Sequence, residues 1–265
     1  MAVDPMGHTR KFTRACQHLV AIEEIIKNWN SATTDETISE PDPDRTGIVD
    51  CQRYVAKIEG PLLPEFSALL GDCLHNFRGV LDHLIWYASV LHSGETPPNP
   101  RRIHFPAYES RDAYAAQGLH AVSSEVGAIV ESFQPFNDGE QSRSHPLWVL
   151  CELNNFDKHR ELHAVDHVAL APEIELLSAL PGPWYEVAED GPIADGTVIA
   201  RVFTPVTMRG NDVTLNLRFH HGVAILATET TPLLHFGQTL ILIRNTVAEV
   251  ARSIMRGPLL VVQCD

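Results

Sequence analysis

The stretch LGDCLHNFRGVLDHLIWYASVLH, from Leu70 to His92, constrains the fold more than any other part of the chain. Its apolar residues recur at three- and four-residue spacing. At about 100° per residue, Cys73, Leu74, Phe77, Val80, Leu81, Leu84 and Ile85 fall on one broad side, which predicts a long helix with a wide buried stripe. Asp72, His75, Asn76, Gly79, Asp82, His83 and Trp86 fall on the other side, with Arg78 at its edge. A solvated helix face usually carries Lys, Glu and Gln. Short or rigid polar residues and a glycine lower helix propensity, so this face is expected to meet something specific.

Periodicity organises the rest. Thr9 to Asn30 carries Phe12, Ala15, Cys16, Leu19, Ile22, Ile25 and Ile26 at helical spacing. Residues 31–46, rich in Asp, Glu, Thr and Pro, read as a surface loop, and Tyr54 to Ile58 as a short strand. The central helix is expected over 64–92, short helices over 111–117 and 123–133, and a strong helix over 146–165. After Val165 the texture becomes strand-like. His167–Ala171, Glu173–Leu177, Trp184–Ala188, Val198–Phe203, Val213–Phe219 and Val223–Ala227 lie between Gly, Pro, Asp and Asn residues. Connections this short favour antiparallel pairing. Helical spacing returns from Pro232 to Arg256. The expected class is α+β: a helical bundle over 1–165, an antiparallel β-module over 166–231, and a segment over 232–265 whose helix returns to the bundle.

Composition narrows function. The 265 residues suffice for a substantial core, and 44% hydrophobic with 20% charged residues is ordinary for a globular protein. The net charge is -14, so counterion release gives little general affinity for DNA or RNA. The five cysteines have no CxxC spacing and read as free thiols in a reducing cytosol. MAVDPMGHTRKF lacks the apolar core of a signal peptide, and no run nears the ~20 apolar residues of a membrane span. A phosphate loop, a Gly-x-Ser-x-Gly elbow, a Gly-x-Gly-x-x-Gly loop and zinc-ribbon spacing are all absent. That disfavours kinases, α/β-hydrolases and nicotinamide dehydrogenases.

A second polar stripe lies on the helix over 146–165. Trp148, Glu152, Asn155, His159 and His163 fall within about 80°, while Asn154, Asp157, Lys158 and Glu161 take another side. The helices over 64–92 and 146–165 are expected to pack side by side and share one pocket. It would hold Arg78 or His83 together with Asn155 and His159.

Arg78-Gly-Val-Leu-Asp-His83 has the form Arg-x4-His, and on this motif the chain resembles the HEPN superfamily. That resemblance implies a helical bundle and a metal-independent endoribonuclease acting without a cofactor. Arg78 would stabilise the phosphorane charge, and His83 would act as general acid or base, with Asp82 between them. Asn76, His75, Asn155, Asp157, Lys158, His159 and Arg160 would then line the binding surface for RNA or a nucleotide. Ideal geometry puts Arg78 and His83 about 140° apart, so convergence requires arginine's reach or a homodimer. The texture of LHNFRGVLDHL with LNNFDKHR is also similar to bacterial hypothetical proteins, which implies no mechanism.

Two other readings stand beside it. In a metal site, Asp72, His75 and His83 would face Glu152, His159 and His163, the last two at i and i+4 on one helix. In a structural network, Asp82 pairs with Arg78 at i, i+4 and Asp157 with Lys158 or Arg160. The histidines and asparagines then fix helix register, and the protein binds a partner without catalysis.

Overall fold

The computed structural model describes residues 6–32, 36–45, 49–57, 65–117, 119, 121–158, 163–178, 183–188, 191–192, 195–205, 213–226 and 234–255. The fold is α+β, and the C-terminal helix returns to the bundle. Six α-helices are present among these residues: α1 Gly7–Ala32, α2 Glu65–Ser93, α3 Arg111–Gln117, α4 Ser124–Ser132, α5 Pro146–Asp157 and α6 Phe236–Met255. The starts of α4 and α5 are built locally. The Ser123 hydroxyl accepts the Val126 N–H, and the His145 ring accepts the Leu147 N–H with Pro146 in the first turn.

α2 is the centre of the bundle and packs on α1, α5 and α6. Its apolar stripe is the core, with Leu70, Cys73, Leu74, Phe77, Val80, Leu81, Leu84 and Ile85 fully buried. α1 runs antiparallel to it. The Cys73 thiol donates to the Ala15 carbonyl at 3.5 Å, and Phe12 meets Phe77 edge-to-face at 5.8 Å. α6 closes the bundle by placing Phe236 5.0 Å from Phe66, with Leu240, Ile243 and Val247 buried behind it.

Among the described residues, the strands form two four-stranded antiparallel sheets. One has the order β1-β2-β6-β4, from Glu36–Pro41, Val49–Lys57, Val198–Pro205 and Trp184–Val187. The other has the order β5-β3-β7-β8, from Gly191–Pro192, His163–Ser178, Val213–Leu226 and Leu234–His235.

Three expectations change here. The β-structure is not confined to one late module, because β1 and β2 come from the first quarter of the chain. Residues 36–41, expected in a loop, pair with β2, which pairs in turn with β6. Local pattern could not reveal β1, since ETISEP becomes a strand only through the ladder and the Arg53–Glu40 ion pair. The paired runs 167–171 with 173–177, and 213–219 with 223–227, are single strands. β3 absorbs its interruptions as bulges between Val165 and Val168 and between Leu170 and Glu173, the latter spanning Pro172. Finally, α5 ends at Asp157 rather than at 165. His163, Ala164 and Val165 pair with Leu226, Ile225 and Ala224, so the sheet takes residues that helical spacing had assigned to the helix.

Candidate functional site

The two polar helices do pack side by side, α5 antiparallel to α2. Arg78 makes the central contact. Its Nε donates to Asp82 Oδ2 at 3.2 Å and its Nη2 to Asp82 Oδ1 at 2.8 Å, the fork expected from i, i+4 spacing. Nη2 also donates to the Phe105 carbonyl at 2.6 Å, and Nη1 to the Cys151 sulfur at 2.9 Å. Asp82 in turn accepts the Phe105 N–H at 2.9 Å. Only 14% of the Arg78 side chain and 35% of Asp82 remain exposed. Burial pushes the Cys151 thiol up against the pull of Arg78, so the sulfur meets the guanidinium as a neutral thiol. Burial works against the charge on Arg78, yet its neighbours carry its pKa above the ordinary value; with Cys151 neutral, Asp82 supplies the stabilising charge.

His83 is exposed and belongs to a different neighbourhood. Its ring lies over Gly7 in the first turn of α1, where a Cβ would collide with it. Burial, then Lys11 and Arg10, lower its pKa against the opposing pull of Asp82. Buried His8 lies close by and is also lowered, by burial and by His83. Arg78 therefore faces α5 and the segment around Phe105, while His83 faces α1.

The remaining predicted residues divide in the same way. Asp157 rests on Gly71 of α2, whose missing side chain makes room for the carboxylate. Burial and the nearby Asp72 raise the Asp157 pKa, and His75 opposes them. Asp72, His75, Asn155 and Lys158 are exposed, and Glu152 is half-buried. Asn155 is thus outside the shared contact, and the buried asparagines among the described residues are Asn154 and Asn76, the latter donating to the Asp72 carbonyl at 2.7 Å. His159 and Arg160 lie outside the described residues. His163 begins β3 rather than lying on α5. Among the described residues, no three metal-ligating side chains come together.

Sequence reasoning missed a cavity of about 890 Å³ between the C-terminal half of α2, the proline-rich segment 97–106 and a wall that includes Tyr108, Ala116, Gln117 and Leu119. Buried Ile85, Ser89, Pro97 and Pro106 form its floor, and His92, Arg102, His104 and Gln117 stand exposed around it. The wall is clamped from two sides. Arg78 and Asp82 hold both backbone polar groups of Phe105. Fully buried Gln134 donates to the Pro106 carbonyl at 2.9 Å and accepts the Tyr108 N–H at 3.2 Å. The Tyr108 hydroxyl then donates to Gln117 at 2.8 Å, tying the wall to α3. The Ser89 hydroxyl on the floor is buried with no hydrogen-bond partner. The sequence signal for this cavity was three prolines beside a polar helix face, which local periodicity reads only as a loop.

Among the described residues, no helix is long and apolar enough to cross a membrane. No protein-family model, curated protein or solved structure matches the chain.

Proposed function

We propose that this is a non-enzymatic binding protein in which Arg78, Asp82 and Cys151 form a scaffold rather than a catalytic centre. The observation that carries this reading is the engagement of Arg78. Four of the five N–H donors of its guanidinium are directed at Asp82, Phe105 and Cys151. A catalytic arginine must present donors to the charge that develops on a phosphoryl group, and these are committed within the fold. Cys16, Cys51, Cys73 and Cys151 stand outside any disulfide, which supports a cytosolic location.

A second reading keeps the ribonuclease, with RNA as partner, and moves its cations. His83 is exposed beside Lys11 and Arg10, so Lys11 would take the phosphate-stabilising role that the HEPN-like motif gives to Arg78. A second copy could complete that surface.

Incubating wild type, Arg78→Ala and His83→Ala with a mixed RNA pool and chelator separates the two. The binding reading expects no cleavage by wild type, lowered thermal stability in Arg78→Ala and little change in His83→Ala. Wild-type cleavage that is lost in His83→Ala, with its stability kept, would overturn it in favour of the second reading.

A further inference from the structure

We infer that the cavity between α2 and the proline-rich segment is a ligand site for an organic oxyanion with an apolar body. This rests on the binding reading above and supplies its ligand class. Three features of the cavity point there. Its volume, about 890 Å³, lies within the ~300–1,000 Å³ typical of small-molecule sites. Its wall is held by Arg78, Asp82 and Gln134 before any ligand arrives, so little ordering cost falls on binding. On its floor, Ser89 buries a hydroxyl with no partner, a cost of about 1–3 kcal/mol in a helix that alanine would suit better.

The charge of the lining selects the ligand. The chain carries a net charge of -14, yet no described residue lining the cavity is acidic. Arg102, His92 and His104 stand around it instead. Half-buried Ile103 and Leu119, beside Pro97 and Pro106, take an apolar body. The arginine offers a planar fork to an oxyanion head, whether carboxylate, sulfonate or phosphate monoester.

The test titrates the full-length protein with two fluorescent probes of similar ring structure. Anilinonaphthalene sulfonate carries the anion; phenylnaphthylamine is uncharged. Wild type, Arg102→Gln and Ala116→Trp are compared, each shown by its thermal transition to be folded. Arg102 and Ala116 are both exposed at the edge of the cavity, so neither substitution disturbs the core. The expected result is saturable, one-to-one binding of the sulfonate to wild type. It should weaken about tenfold in Arg102→Gln, and Ala116→Trp should reduce binding of both probes. Equal binding of the two probes, indifferent to Arg102→Gln, would overturn the anionic class. Absence of saturable binding, or binding that ignores Ala116→Trp, would overturn the site. Cleavage of RNA by the wild type overturns the binding reading by a separate assay, so the two failures are distinguishable.

Discussion

Arg78→Met isolates what the guanidinium does while keeping most of its apolar stem. The substitution removes two bonds to Asp82, one to the Phe105 carbonyl and one to the Cys151 sulfur. Hydrogen bonds to charged groups contribute about 1.5–3 kcal/mol net, and breaking a buried ion pair costs about 3–5 kcal/mol. Asp82 lowers the loss, because it is 35% exposed and keeps the Phe105 N–H. Methionine also fills most of the arginine stem, so the cavity term is small. The expected destabilisation is about 3 kcal/mol, or roughly 6–12 °C in Tm for a chain of this size. Urea unfolding gives the free energy and calorimetry the temperature. A double-mutant cycle with Asp82→Asn should return a coupling of about 1.5 kcal/mol or more, because the two residues share one network. A Met variant within about 0.5 kcal/mol of wild type, or additive single mutants, would refute the view that this pair holds the segment around Phe105.

Two glycines on α2 should respond in opposite directions to the same substitution. Gly71→Ala places its methyl group on the Asp157 carboxylate and is expected to cost about 1–3 kcal/mol, whereas Gly79→Ala meets only the flexible Lys11 chain at 3.4 Å and should gain about 0.5 kcal/mol in helix propensity; equal effects in urea unfolding would contradict the contrast. The Asp42–Arg201 pair, 2.7 Å apart, links the end of β1 to β6 and makes a pH-dependent prediction. The Arg201 bond, then the Asp44 N–H, hold the Asp42 carboxyl below its ordinary pKa against its burial, so its contribution is present above the unfolded value of about 3.9 and is lost as pH falls through the lowered folded value. The stability deficit of Asp42→Asn should therefore be large at neutral pH and shrink in acid, and a deficit that does not vary with pH would argue against an ionised pair.

The helices were legible because a buried helix face imposes its own period on the residues that form it. Arg111–Gln117 was read with its observed bounds, and α1 and α2 within two residues, since each carries a continuous stripe and a clear break. The Arg78–Asp82 pair was legible for the same reason, because i, i+4 neighbours meet on any helix. β1 was not legible, since ETISEP has no face of its own and becomes a strand only against β2. The end of α5 was decided by competition: residues 163–165 fit a helical count, but pairing with β7 satisfies their backbone. The polar face of α2 stood out in the sequence, yet a one-dimensional count could not divide it. By itself the sequence placed Asp, Asn, His and Gly on one side of this helix, where Asp72, His75 and His83 remain exposed and Asn76 and Gly71 are buried. Tertiary structure decided the partners: Gly71 admits Asp157 from α5, Gly79 lies against Lys11 of α1, and Arg78 turns toward a backbone segment 27 residues away. The cavity beneath that segment exists only once three separate elements meet, so no single stretch of sequence could show it.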